Sequence, residues 1–502
     1  MKKELLYGSL ILPVAAGFVS CKGEKQDSEN KPNVIVILAD DLGYGDMSAY
    51  GSKAIQTPNL DFLAKNGVQF TDGHSTSATS TPSRYGLFTG QYPWRNEKAK
   101  ILPGDAPLLI DVNQPTMPKM FQNAGYKTAA IGKWHLGMGE GNLNWNEQIS
   151  PCANDIGFDY SNLIAATNDR VPTVYVRDGK VVGLDKNDPI EVNYHTPYEG
   201  VVNATTHPEL MKMKWSHNHN QAIINGIPRL GYMKGGKAAE WVDEDMADYF
   251  VGEVAAFITE NKDEPFFLYY GLHQPHVPRA PHSRFVGKTK LGPRGDAVAE
   301  ADWCIGELIK KLEKEGLLEN TIIYFSSDNG PILDDGYQDG AEELLGEHKP
   351  TGDFRGSKYS LYEAGTRVPM MMYWKGHIEP TVSNALVSQL DLYASFADLL
   401  GETMPEGLDT RNYLSTFFGE NMEGRTSYIM EASGKTAYRK GNYVYIPKYK
   451  NKKTVKHVEY GTLGEEGLFD LSNDLGQRTN LAKENPELLK ELREEYKLAT
   501  GK

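Results

Sequence analysis

From Asn33 to Ala39 the chain reads Asn-Val-Ile-Val-Ile-Leu-Ala, apolar and β-branched throughout, the pattern of a parallel strand covered on both faces. The run stops at Asp40-Asp41. Stretches of the same kind recur at Lys127 to Gly132, Pro265 to Tyr270 and Thr321 to Ser327, and helical spacing of apolar positions takes over at Met117 to Ala124, Glu244 to Glu260 and Asp296 to Glu315. This alternation predicts an α/β fold with a helix-covered sheet. Sheets of this kind place ligands beyond the carboxyl ends of their strands, where several polar clusters of this chain fall. After about Val382 the texture changes to a helical stretch from Leu386 to Leu400, glycine-rich turns, a hairpin within Thr436 to Tyr449 and a charged closing helix from Pro486 to Leu498. The expected organisation is a main domain over residues 32–381 and a smaller α+β subdomain over residues 382–502.

The first residues carry a different pattern. Lys2 and Lys3 precede an apolar run from Leu5 to Val19 that ends in Ser20-Cys21, followed by a polar linker over residues 22–31. The run is too short for a comfortable spanning helix and reads as an export signal over residues 1–21. Phe18-Val19-Ser20-Cys21 resembles a bacterial lipobox, with Phe18 in place of the usual leucine, so Cys21 is the expected lipid-anchored first residue of an exported periplasmic or surface protein. Ordinary cleaved secretion is the alternative. Cys152 and Cys304 remain, and two cysteines beside Pro151 and Trp303 suit buried thiols as readily as one bridge.

Composition narrows the classes. A 502-residue chain that is 40% hydrophobic supports a large core, and a net charge of −14 disfavours general attraction to nucleic acid or an anionic membrane surface. An anionic substrate must therefore be captured locally.

The candidate chemistry centres on Ser80-Thr81-Pro82-Ser83-Arg84, continuing to Leu87-Phe88-Thr89-Gly90. Pro82 suits a first helical turn, so Ser80 sits where free amides and the positive helix end favour an anion. A serine before Pro-Ser is also an ordinary helix cap. These residues resemble the signature of the formylglycine-dependent sulfatases of the alkaline-phosphatase superfamily, (Cys or Ser)-x-Pro-Ser-Arg followed by Leu-x-Thr-Gly. The resemblance implies an alkaline-phosphatase-like mixed sheet. It also implies that Ser80 is oxidised to formylglycine, whose hydrate attacks sulfur and whose second hydroxyl then expels sulfate. Serine rather than cysteine at this position implies conversion by an anaerobic sulfatase-maturating enzyme.

The rest of the family's pattern follows in order. Asp40 and Asp41, with Asp328 and Asn329 in Ser326-Ser327-Asp328-Asn329-Gly330, correspond to its metal ligands together with residue 80. An all-oxygen set suits calcium, although paired acids after a strand also form turns. Lys133 and His135 match the Gly-Lys-Trp-His-Leu-Gly stretch, and His276 and Lys358 match the second histidine and second lysine. By that resemblance Lys133 holds sulfate, His135 acts on the formylglycine hydroxyl, His276 assisted by Lys358 protonates the leaving alcohol, and Arg84 orients the nucleophile. His273 and His282 compete with His276 for its role, and Asp46 and Asp391 read as structural.

Specificity should come from the segment between Asp159 and Gly236. Within it Asn168-Asp169-Arg170 is similar to the stretch by which galactose-directed members grip sugar hydroxyls, with a surface ion pair as the alternative. His217 and His219 either line the sugar site or cap a loop. The serine-type motif and lipobox-like start resemble those of glycan-degrading sulfatases of gut Bacteroidetes. The expectation is an exo-acting sulfatase for a 6-sulfate on galactose or N-acetylgalactosamine of a sulfated glycan. Other positions or sugars, a phosphodiesterase or phosphonate monoester hydrolase, and a non-catalytic glycan-binding lipoprotein are the alternatives.

Overall fold

The computed structural model describes Met1 and residues 31–450, 454–455 and 458–502. The export signal, Cys21 and the linker lie outside the described residues apart from these ends. Residues Pro32–Lys502 form one compact unit. No helix among the described residues is long and apolar enough to cross a membrane.

The main sheet is built from β1 (Asn33–Ala39), β2 (Val68–Phe70), β3 (Lys127–Lys133), β4 (Tyr160–Ile164), β5 (Tyr175–Arg177), β6 (Lys180–Val181), β7 (Phe266–Gly271), β8 (Thr321–Ser327), β9 (Met370–Trp374) and β10 (Thr381–Ser383). Their order across the sheet is β10-β2-β9-β8-β1-β7-β3-β4-β5-β6. The central five, β8-β1-β7-β3-β4, are mutually parallel, and antiparallel pairs flank them on both sides. The sheet is therefore mixed, as expected.

Every residue of β1 is buried, and its side chains alternate between two cores. Val34, Val36 and Leu38 pack with Leu87, Phe88 and Phe121 on one face, while Ile35 and Ile37 meet Leu60, Phe250 and Ile305 on the other. This double burial explains the unbroken apolar runs. The helices supplying these contacts are α1 (Pro58–Asn66), α2 (Ser80–Thr89), α3 (Met117–Asn123), α4 (Met246–Glu260) and α5 (Gly292–Lys314). Cys152 and Cys304 are free buried thiols in opposite cores, so the sheet itself separates them.

Beyond the sheet the outcome is more particular. The helix expected from Leu386 begins only at α6 (Leu392–Leu400). Val387 instead pairs with Gly73, Ser388 accepts the Leu390 amide, and Gln389 spends its amide on Ser326 and the Ser327 carbonyl. Tertiary partners for these polar groups outweigh local helical spacing. The expected hairpin is β12 (Lys435–Lys440) with β13 (Tyr443–Ile446), widened by β11 (Ser427–Ala432) and β14 (Gly467–Asp470) into a four-stranded antiparallel sheet. α7 (Pro486–Thr500) closes it through Leu489, Leu492 and Tyr496. Strand β10 spans residue 382 and pairs with β2, so the large sheet continues past the composition change.

Candidate functional site

Four of the five parallel strands deliver polar groups to one end of the sheet. Asp40 and Asp41 follow β1, Asp328 and Asn329 follow β8, Lys133 ends β3 with His135 just after, and His276 lies in the loop after β7. The register places Ala39 beside Ser327 and Leu38 beside Gly271, so these groups converge. Ser80 starts α2 beneath them. The N-cap position of its helix is taken by the preceding Thr79, whose side chain makes no capping bond, and the Ser80 hydroxyl donates to Asp328 Oδ2 at 2.5 Å. Ser80 is thus not the helix cap.

Arg84, one turn along α2, is fully buried and fixed from three sides. It donates to Ser80 Oγ at 3.2 Å, to Asp328 Oδ2 at 2.7 Å, to the Lys133 carbonyl and to the Tyr269 hydroxyl. Lys133 Nζ pairs with Asp40 at 2.6 Å and lies 3.4 Å from Asp328. Lys358 Nζ bridges Asp41 at 2.9 Å and Asp335 at 2.8 Å. Burial alone would raise Asp328, but Lys133 and Arg84 hold its carboxyl well below the usual range. Burial pushes Asp40 well above that range, and Lys133 only partly offsets it.

Two acceptors of this centre have no donor among the described residues. Asp40 Oδ1 and Asn329 Oδ1 are buried without a donor, while Asn329 gives its amide to Asp41 Oδ1 at 2.7 Å. Ligand atoms of Asp40, Asp41 and His276 lie within 4.8 Å of one another. Unpaired buried oxygens next to three carboxylates fit a hard divalent cation. A second acidic group, Asp72, His74 and Glu363, is already occupied by Arg367 and Arg439.

The histidines are also set by geometry. His135 Nε2 donates to the Leu102 carbonyl at 3.0 Å, which leaves Nδ1 buried, unprotonated and without a partner. His276 Nδ1 donates to the Val277 carbonyl at 2.5 Å, and its Nε2 lies 3.9 Å from Asp41. Burial, reinforced by Lys358, lowers His276 to about 4. His282 caps a short helix by accepting the Arg284 amide, and neither it nor His273 lines the cleft over Ser80. Asp46 pairs with Arg294 and His348, and Asp391 with Arg425.

That cleft has a volume of about 330 Å³ and is lined by Ser80, His135, His276 and Lys358 together with Asp169, Arg170, His217 and His219. Arg170 holds Asp169 at 2.8 Å, and His219 Nε2 meets the other Asp169 oxygen at 2.7 Å. The pair is therefore built into the cleft wall, not loose on the surface. Asp335 and Tyr269 escaped the sequence reading. The acid pair Asp334-Asp335 shortly after Asp328-Asn329 was a usable signal for the first, but a tyrosine inside an apolar strand carries none. Three non-glycine residues here, Asp41, His135 and Tyr359, adopt left-handed backbone, a concentration of strain typical of functional sites.

The sulfatase family model matches residues 32–402. The chain belongs to the sulfatase family. This sulfatase is 48% identical to an N-acetylgalactosamine-6-O-sulfatase of Bacteroides thetaiotaomicron, covering 96% of this chain and 97% of that one, and 30% identical to human arylsulfatase A over 97% and 89%. A solved sulfatase described with the metabolism of multiple glycosaminoglycans by Bacteroides thetaiotaomicron superposes with a TM-score of 0.92 at 47% identity, covering 94% of this chain and all of that one. The sulfatase is thus a sulfuric ester hydrolase with an alkaline-phosphatase-like fold. Its family uses a formylglycine nucleophile and a divalent metal.

Proposed function

We propose that this protein is an exo-acting sulfatase that removes a 6-O-sulfate from galactose or N-acetylgalactosamine at the end of a sulfated glycan. The observation that carries the substrate reading is the Asp169–Arg170 pair, braced by His219 and facing the same cleft as Ser80. A carboxylate and a guanidinium held side by side clamp adjacent sugar hydroxyls. The 48% identical relative, named for 6-sulfated N-acetylgalactosamine, supports the same reading.

Asp40, Asp41, Asp328, Asn329 and residue 80 are the groups that would hold calcium, which when bound neutralises a sulfate oxygen and the attacking group. Formylglycine, made from Ser80 by an anaerobic maturating enzyme, would supply as its hydrate both an attacking hydroxyl and the second hydroxyl that expels sulfate, which plain serine lacks. The charge count favours a bound cation. Asp40, Asp41, Asp328 and Asp335 are paired there with three permanent cations, Arg84, Lys133 and Lys358. A divalent cation turns that deficit of one into an excess of one, matching the single charge of a sulfate monoester.

The chain's own residues then divide the work. Lys133 and Lys358 hold sulfate oxygens, and Arg84 fixes residue 80 through its rigid fork. His276, with Lys358 beside it, is the proton donor to the departing sugar oxygen, and the negative charge of bound substrate must raise it from about 4, the value that burial and Lys358 set. His135, whose Nδ1 lone pair is kept free by the bond to Leu102, takes the proton that releases sulfate. Export and lipid attachment at Cys21 complete the reading, so that the enzyme meets glycan outside the cytoplasm.

The test is sulfate release from a panel of 6-, 4-, 3- and 2-sulfated galactose, N-acetylgalactosamine and glucosamine, using calcium-loaded protein whose Ser80 peptide has the mass of formylglycine. Release from the 6-sulfated galacto sugars, lost in Ser80→Ala, is expected. Release confined to another position or to glucosamine overturns the substrate assignment, and full activity of Ser80→Ala overturns the nucleophile.

A further inference from the structure

The cleft over Ser80 shares a wall with a second and larger cavity of about 460 Å³. His217, Asp335 and Tyr359 line both spaces. The second cavity has Pro331, Ile332 and Leu333 on one side and Thr351, Val458 and Tyr460 among its other walls. Its size falls in the roughly 300–1,000 Å³ range of small-molecule sites.

The shared wall is held with unusual care. Tyr359 has φ +73°, a left-handed conformation that bulky side chains rarely adopt. Its amide is tied to the Ala78 carbonyl at 2.9 Å, its hydroxyl donates to Asp335 at 3.1 Å, and its ring stacks on Tyr460 with centroids 6.2 Å apart and planes at 29°. The same Asp335 carboxylate grips Lys358 on the side of the Ser80 cleft. One acid therefore fixes both the lysine of the reaction centre and the aromatic ring that borders the next space.

Tyrosine faces beside an apolar wall with carboxylates at the edge are the surface a pyranose needs, since its C–H face lies against an aromatic ring while its hydroxyls donate to carboxylates. A terminal sugar seated over Ser80 still carries its glycosidic linkage, so the following residue needs a space adjoining that cleft, and the second cavity, which shares His217, Asp335 and Tyr359 with it, is such a space. We propose that the second cavity binds the next sugar of the glycan, with Tyr359 and Tyr460 as its aromatic platform. This rests on the exo-acting sulfatase reading given above.

The experiment compares a 6-sulfated monosaccharide with a disaccharide bearing the same sugar at its non-reducing end, in the wild type, Tyr460→Ala and Thr351→Trp, the last filling the cavity. The wild type should favour the disaccharide in kcat/KM by about tenfold, the equivalent of ~1.4 kcal/mol. Both variants should lose that preference and keep the monosaccharide rate. Equal rates on the two substrates in the wild type, or equal losses on both in the variants, overturn the proposal. Calorimetric binding of the same disaccharide to Ser80→Ala, with and without Thr351→Trp, gives a readout independent of turnover. If no substrate is desulfated but binding still depends on the cavity, the exo-sulfatase reading fails and the sugar site stands; binding indifferent to Thr351→Trp overturns the site.

Discussion

Gly132 is the penultimate residue of β3 and the neighbour of Lys133, and its side-chain position is forbidden twice. Its φ is +103°, and a Cβ there would lie 2.0 Å from the Gly271 carbonyl oxygen on β7, about 1 Å inside the 3.0 Å limit of real contacts. Gly132→Ala must therefore spread β3 from β7 by about that distance where the two strands hand over Lys133 and the His276 loop. The positive φ costs about 1–2 kcal/mol for alanine, and forced separation of a packed contact adds roughly 1–3 kcal/mol. The kinetic effect should be larger in proportion, because a 1 Å misplacement of reacting groups lowers rates by about 100-fold. Gly125 supplies the control. It too has a positive φ, +83°, but nothing lies within 4 Å of its Cβ position. Gly125→Ala should lower thermal stability without changing turnover, while Gly132→Ala should lower both. Sulfate release and thermal denaturation on the same metal-loaded preparations measure this. Turnover of Gly132→Ala within about threefold of the wild type, or equal losses in the two variants, would show that the close approach of β3 and β7 does not set the position of Lys133.

Three further outcomes follow from buried acids. Glu431 is buried with Oε2 unpaired, and burial raises its carboxyl to about 7 from 4.5. The folded state then holds more protons than the unfolded state between those values, so this group makes stability fall as pH rises across the window, by at most about 3 kcal/mol. Glu431→Gln should remove that component: its melting temperature should exceed the wild type's at pH 8 and match it near pH 5, and a difference independent of pH refutes the reasoning. If calcium is the ion held as proposed, chelation should lower both activity and melting temperature, with restoration worth about 2.7 kcal/mol at a hundredfold excess over Kd. Asp40→Asn should lose the calcium-dependent rise in melting temperature, and an undiminished rise would remove Asp40 from the ligand set.

Much of the architecture was legible because it rests on local pattern. Strands buried on both faces must be apolar at every position, so β1 and β8 fall where the runs at Asn33 and Thr321 lie. The residues that leave those strands at their carboxyl ends were visible for the same reason. The segment from Leu386 to Asp391 departs from its helical spacing because that spacing is local, whereas the partners of Ser388, Gln389 and Asp391 lie elsewhere in the chain.

By itself the sequence determined the α/β class, the converging strand ends, the Ser80–Arg84 motif and the oxygen-rich donor set, since spacing along one chain carries all of these. Only the tertiary structure decided which groups share one charge field. It gave Asp335 to Lys358, Tyr269 to Arg84 and His219 to Asp169, and it freed the Ser80 hydroxyl from helix capping. It also separated Cys152 from Cys304 by the thickness of the sheet. The physical reason is that burial makes each of these groups require a partner, and the partner is chosen by proximity in space, from residues 23 to 248 positions away that no local pattern links.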